Sequence, residues 1–172
     1  MCVPNSILGD FGDRAMNVEY MKTPLGVLRI QEEEGKLTGI HLLTDGEPEG
    51  MESPSDVTKE AARQLLEYFD GKRTEFDLPL DFSQGSSFRQ KVWKEMAQIP
   101  YGRTVSYGEL AAKAGSKKAC RACGTAVGRN PFIIVVPCHR VIKGDGSIGG
   151  FAPGVDKKRI LLNVEGIEIC RK

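Results

Sequence analysis

Phe132-Ile-Ile-Val-Val-Pro-Cys138-His139-Arg140-Val-Ile142 is the stretch whose reading decides the fold. Five consecutive apolar residues, rich in β-branched side chains, predict a short strand buried on both faces. Pro137 has no N–H to donate to a ladder, so pairing is expected to stop there. The chain then presents a thiol, an imidazole and a guanidinium in three successive positions. A thiol delivered by rigid backbone beside two potential cations has the requirements of a low-pKa nucleophile.

Working outward, Gly128-Arg-Asn130-Pro131 precedes this stretch and Gly149-Gly150-Phe151 follows it. Further on, Leu161-Leu162-Asn-Val-Glu165-Gly166 reads as the end of a helix. With these flanks, Pro137-Cys138-His139-Arg140 resembles the active-site signature of the O6-alkylguanine-DNA alkyltransferases, the methylated-DNA–protein-cysteine methyltransferases. The resemblance runs over residues 86–168 without a large gap.

The 172 residues suffice for one domain or two small ones, and 40% apolar with 7% aromatic residues suffices for a packed core. No apolar run approaches the roughly 18–20 residues that span a bilayer, and no secretory signal pattern opens the chain. Residues 1–15 contain Pro4, Gly9 and Gly12 without periodicity and read as a poorly ordered extension or an added segment. Five cysteines, an odd number without framework spacing, favour a reducing setting. A cytoplasmic or nuclear protein is therefore expected. Cys120 and Cys123 form a C-x-x-C, but no second Cys/His pair completes a zinc site, and residues 1–85 offer no convincing ligand set. They read as small apolar residues of a packed helix, with disulfide formation between them left open. Neither a metal nor a cofactor is expected.

The net charge of +1 conceals an asymmetry. Residues 1–85 carry 8 Lys+Arg against 17 Asp+Glu, a balance of −9, and residues 86–172 carry 16 against 6, a balance of +10. Two units are implied, the second facing a polyanion or, alternatively, neutralising the first.

Asn17–Leu43 reads as a β-meander broken at Thr23-Pro24-Leu25-Gly26 and at Glu32–Lys36. After a Gly/Pro/Glu-rich loop, Ser55 or Asp56 caps a helix with Ala62, Leu65, Leu66 and Phe69 inward, ended by Gly71. His41 reads as a partly exposed strand residue. Asp77–Gly85, with Pro79 and a Ser/Gly-rich run, is the stretch that holds the candidate linker. Ser86 or Ser87 then caps a helix with Phe88, Val92, Met96 and Ile99 on one face and Trp93 in the core. Ser106–Ala114 and Lys117–Val127, joined by Gly115-Ser116, have the form of a helix-turn-helix. The second helix carries mostly small side chains, including Ala119, Ala122 and Gly124, and few that read base edges. Such a helix suits close, backbone-dominated approach to a narrow groove. Lys143–Ser147 predicts a tight turn of a hairpin or wing. Asp156 is the expected cap of a last helix with Ile160, Leu161 and Val164 inward.

A free thiol, pKa about 8.5, is only a few per cent ionised at neutral pH; lowering it by about two units, roughly 2.7 kcal/mol, makes thiolate dominant. His139 can act as base or relay, and Glu165 can orient it. The resemblance implies that these three meet, with a water between His139 and Cys138. It further implies a single transfer of an alkyl group from flipped-out O6-alkylguanine to Cys138, with O4-alkylthymine left open as a second substrate. Asn130 corresponds to the residue fixing the active-site turn, Arg121 to the arginine that enters the vacated stack, and Tyr107 to the tyrosine that helps rotate the nucleotide. The carbonyls of Cys138 and Val141 and the backbone near Ala152 are implied readers of the guanine, and Phe151, Ala152 and Pro153 bound the pocket. Ala152 and Pro153 depart from the commoner pattern, which leaves adduct size open. Arg140 is read as structural. The implied partner is duplex DNA, bound through the minor groove by a monomer.

The expected fold is α+β. A ribonuclease-H-like sheet-plus-helix unit spans residues 16–80 and a linker spans 81–87. A winged-helix-like unit over 88–172 carries the site. Two rival functions remain: a non-enzymatic winged-helix lesion sensor or regulator, and a cysteine hydrolase or thiol oxidoreductase.

Overall fold

The computed structural model describes residues 15–44, 48 and 50–169, so the extension expected over 1–15 lies almost entirely outside it. Three antiparallel strands, β1 (Asn17–Thr23), β2 (Gly26–Glu33) and β3 (Lys36–Leu42), form the expected meander. The β2–β3 turn places Glu34 and Gly35 at φ 52° and 81°, the left-handed pair that a tight hairpin of the right twist requires. Helix α1 (Asp56–Phe69) packs on this sheet, opened by a capping box in which Ser55 and Thr58 bond each other's backbone.

The buried stripe of α1 is Ala61, Gln64, Leu65 and Tyr68. This corrects the expected stripe by one residue: Leu66 is 54% exposed, and Ala62 and Phe69 are half-buried. The phenol at 68 turns inward because a buried acceptor meets its hydroxyl, described below.

Helices α2 (Ser87–Ala97), α3 (Tyr107–Lys113) and α4 (Cys120–Gly128) pack on one another as a three-helix group. Ser86 and Ser106 cap α2 and α3. Trp93 is core, its Nε1 donating to the Ala126 carbonyl at 2.8 Å. Helix α5 (Val155–Val164) closes the described chain. Its N-cap is Gly154, not Asp156, which instead lies in the first turn where a carboxylate favours the helix dipole. Ile160 is 36% exposed and Lys158 takes the inward position expected of it.

The apolar run 132–136 is not a strand. Only Phe132 bridges to β3; beyond it the chain turns, with Val136 N–H to Phe132 O and Val135 N–H to Ile133 O, both at 2.9 Å. Ile134 has φ 73°, a conformation that costs a β-branched residue energy. Burial on all sides rewards a compact turn as well as a strand, so hydrophobicity alone did not separate them. The strand of this stretch is Val141–Ile142 (β5), paired in parallel with Val105–Ser106 (β4). Lys143–Ser147 turns as expected, Lys143 N–H reaching Ser147 O at 3.0 Å, but no returning strand follows among the described residues. The carbonyls of Ile148 and Gly150 are held by Lys158 instead.

The edge of β3 is fastened to the rest of the chain. Ile40 donates to Pro131 O at 2.8 Å and accepts from Ile133 N at 3.1 Å, while Leu37 bonds Pro79 and Asp81. One buried cluster thus runs from Leu28, Ile30 and Ile40 through Phe132 to Trp93 and Leu110. The architecture is the expected α+β one: a small N-terminal sheet with its helix, and a C-terminal helical part. No described helix is long and apolar enough to cross a membrane.

Candidate active site

Cys138 opens a 3-10 turn (Cys138–Arg140) and is 7% exposed, on the wall of a cavity of about 560 Å³. Tyr107, Gly124, Asn130, Phe151, Ala152 and Pro153 line the same cavity, together with residues 40–44 at the end of β3. Asn130 builds the turn that delivers the thiol. Its amide nitrogen donates to Val136 O at 2.6 Å and Phe132 O at 3.3 Å, and its oxygen accepts Phe132 N–H at 3.0 Å. One side chain thereby replaces the ladder partners that the run 132–136 lacks.

Glu165, at the C-terminus of α5, is the hub behind the cysteine. His139 Nε2 lies 2.6 Å from its Oε1. Arg140 spans both oxygens at 2.9–3.1 Å, and the backbone N–H of Gly102 donates to Oε2 at 3.1 Å. The hydroxyl of Tyr68 donates to Oε1 at 2.7 Å. His139, Arg140, Glu165 and Tyr68 are all buried. Sequence reasoning anticipated His139 with Glu165 but left Arg140 structural and missed Tyr68. An aromatic in an amphipathic helix carries no mark that its hydroxyl reaches a residue 97 positions away.

Burial would push the Glu165 carboxyl up, but hydrogen bonds from His139 and Arg140 outweigh it and hold it at about 2. Burial pushes His139 down, with the positive charges of Arg140 and Lys158 acting the same way against Glu165. At neutral pH the pair is therefore a carboxylate beside a neutral imidazole. Nε2 carries the proton toward Glu165, and Nδ1 has no protein partner among the described residues.

Cys138 corrects the expectation of a resting thiolate. Burial pushes its thiol up, only partly offset by the Asn130 side chain and the charge of Lys158. The resting site is a neutral thiol next to a neutral base, so ionisation accompanies proton transfer.

Lys158 is the second residue that sequence reasoning missed. It is fully buried, and its Nζ donates to the carbonyls of Val141 and Ile148, both at 2.6 Å, and of Gly150 at 3.1 Å. Burial lowers it to about 8. Within the run Lys157-Lys158-Arg159 only its register with Leu161, Leu162 and Glu165 sets it apart. Val141 O, the implied reader of the guanine, thus has one lone pair already engaged.

Tyr107, half-buried at the start of α3, has its hydroxyl pushed above its ordinary value by burial. Arg121 and Ala122 are exposed on α4, and Ala119 and Gly124 are half-buried. A Cβ on Gly124 would come within 3.9 Å of the Tyr107 ring, so α4 and the cavity wall are in contact. Among the described residues no cluster of three His, Cys, Asp or Glu could hold a metal ion.

Comparison with known proteins defines the class first. Residues 16–82 match the 6-O-methylguanine DNA methyltransferase, ribonuclease-like domain, and residues 87–167 match the DNA-binding domain of the same protein. The chain is 41% identical over 153 residues to the methylated-DNA–protein-cysteine methyltransferase of Mycolicibacterium paratuberculosis, covering 86% of this chain and 92% of the relative. It is 40% identical over 156 residues to that of Methanosarcina barkeri, covering 87% and 97%. The Mycobacterium tuberculosis O6-methylguanine methyltransferase crystal structure superposes with a TM-score of 0.78 at 38% identity, covering 88% and 93% of the two chains. The crystal structure of OGT from the same organism in complex with DNA gives 0.79 at 40% identity, covering 87% and 92%. The chain belongs to the methylated-DNA–protein-cysteine methyltransferase family.

Proposed function

We propose that this chain repairs O6-alkylguanine in duplex DNA by moving the alkyl group onto its own Cys138, once per molecule. The single observation that carries this reading is the cavity-facing thiol of Cys138, followed by a buried imidazole. That imidazole is bonded through Nε2 to Glu165, and its Nδ1 has no protein partner among the described residues.

A water between Sγ and Nδ1 relays the thiol proton to His139, and the thiolate attacks the alkyl carbon from the side opposite O6. The new S–C bond forms as the C–O6 bond breaks, and its electron pair leaves on the guanine. The proton that His139 took from the thiol passes to the departing base, giving neutral guanine and a thioether. Backbone N–H groups near Ala152 stabilise the developing charge on O6. A thioether is a poor leaving group. The reaction therefore ends there.

The base reaches the cavity by flipping, which costs a few kcal/mol and less for a weakened pair. The small side chains at Ala119, Ala122 and Gly124 let α4 lie close in the minor groove. Arg121 fills the vacated stack, and Tyr107 crowds the target phosphate. Phe151 and Pro153 flank the base, and the Cys138 and Val141 carbonyls read its amino group. Residues 16–80 brace the site, and residues 88–172, carried by a monomer, hold the DNA and accept the alkyl group. O4-alkylthymine presents the same kind of exocyclic alkoxy carbon and is a second substrate.

Incubation with duplex DNA containing O6-methylguanine, followed by intact and peptide mass measurement, tests this reading. A stable gain of about 14 Da on Cys138, one CH2, is expected, with none in Cys138→Ala. An unchanged mass with tight lesion binding would instead identify a sensor, and repeated turnover would identify a hydrolase.

A further inference from the structure

Tyr68 belongs to the N-terminal sheet-plus-helix part, yet its hydroxyl lies in the C-terminal proton-transfer group. It is fully buried, donates to Glu165 Oε1 at 2.7 Å, and stands 3.5 Å from His139 Nε2. The oxygen it binds is the one that faces the imidazole. Its ring is wedged against Phe69, Phe76 and Tyr101 at centroid distances of 5.4–6.1 Å, which fixes the direction of the hydroxyl.

We propose that Tyr68 is a positioning residue, whose hydroxyl holds the Glu165 carboxylate and limits how firmly that carboxylate keeps a second proton on His139. The inference rests on the alkyl-transfer reading above and extends it to a residue outside the part that carries the thiol.

The physical argument is one of shared charge. A carboxylate oxygen that accepts a phenol hydrogen bond has less negative charge to offer its other partners. His139 must take a proton from Cys138 and then surrender it to the departing guanine. An imidazolium held too firmly by Glu165 would complete the first step and stall the second. Tyr68 and Arg140 together draw charge from Glu165 and keep His139 a moderate base. The other groups facing this pair are Cys138 on the same turn, Lys158 on α5, and Tyr101, over whose ring the Arg140 guanidinium lies at 5.7 Å. None of these three bonds the Glu165 carboxylate, so beside His139 itself its side-chain donors among the described residues are the neutral Tyr68 and the charged Arg140.

The test uses the full chain with Tyr68→Phe, which removes one oxygen and keeps the ring packing. Single-turnover methyl transfer from O6-methylguanine duplex is followed against pH, together with DNA affinity and melting temperature. His139 titration is followed by nitrogen NMR, with His41→Gln assigning the two imidazoles. Loss of the hydroxyl raises the proton affinity of His139. The acid limb and the NMR titration therefore move to higher pH by about 0.5–1 unit, and the rate at neutral pH falls about 3–10-fold. DNA affinity stays unchanged. Incorporating 3-fluorotyrosine at position 68, a stronger donor with the same packing, moves both curves the opposite way. Superimposable titrations for all three proteins, or equal shifts for phenylalanine and fluorotyrosine, would overturn the proposal. Failure of the parent protein to gain mass would overturn the alkyl-transfer reading alone, because the NMR titration reads Tyr68 without any transfer.

Discussion

The amide nitrogen of Asn130 donates to the carbonyl of Val136 at 2.6 Å, across the turn that a strand reading had assigned to residues 132–136. That bond lets a buried apolar run fold back on itself and end with Cys138 facing a cavity. With Ile40 pinning Pro131 and Ile133 from the sheet side, the cysteine is positioned by both halves of the chain.

Replacing Asn130 by Ala removes three hydrogen bonds and strands buried backbone groups. Chemical denaturation should show a loss of about 2–4 kcal/mol. Methyl transfer should slow more than tenfold. Asn130→Asp keeps the acceptor for Phe132 N–H but lacks the donor to Val136, so it should recover only part of the stability. A variant as stable and fast as the parent would remove Asn130 from this role.

Glu165→Gln leaves Arg140 buried without its counter-charge and should cost about 3–5 kcal/mol at neutral pH. The pH dependence follows from the carboxyl being held at about 2 against an ordinary value of 4.5. A depressed carboxyl stabilises the fold fully above its unfolded value, and that contribution is lost as pH falls through the folded one. Urea midpoints of parent and variant should therefore converge between about pH 4.5 and 2. A gap that stays constant over this window would contradict the assignment.

Lys158→Met should free the segment Ile148–Gly150, which the buried ammonium ties to α5. Backbone amide exchange at residues 149–151 is expected to accelerate, and methyl transfer to slow, with a stability loss of about 1–3 kcal/mol. Lys158 is held at about 8 against an ordinary 10.5. The unfolded chain binds its proton more readily in between, so the parent should gain stability over the variant from pH 8 toward 10.5. Unchanged exchange at 149–151 would count against the tie.

Arg121→Ala should slow repair of duplex DNA more than reaction with free O6-benzylguanine base, because only the duplex substrate requires a filled stack. Parallel losses on the two substrates would remove Arg121 from base flipping. Affinity for duplex DNA should also fall steeply with salt and vary little with sequence, as phosphate contacts dominate.

The sequence by itself determined the meander, the helix starts at Ser55 or Asp56 and at Ser86 or Ser87, and the succession of a cysteine by a histidine. These features are written in local patterns: turn residues, capping hydroxyls and apolar periodicity act over a few positions. The tertiary structure alone decided that residues 132–136 turn, that Cys138 rests as a thiol, and that Tyr68 and Lys158 belong to the site. Each of those outcomes depends on partners far away in the chain. A buried apolar run is equally satisfied by strand or turn until Asn130 and Ile40 take up its backbone groups. The ionisation of a thiol follows the burial around it. A tyrosine and a lysine on amphipathic helices join a site only when packing turns them toward acceptors that composition and spacing do not reveal.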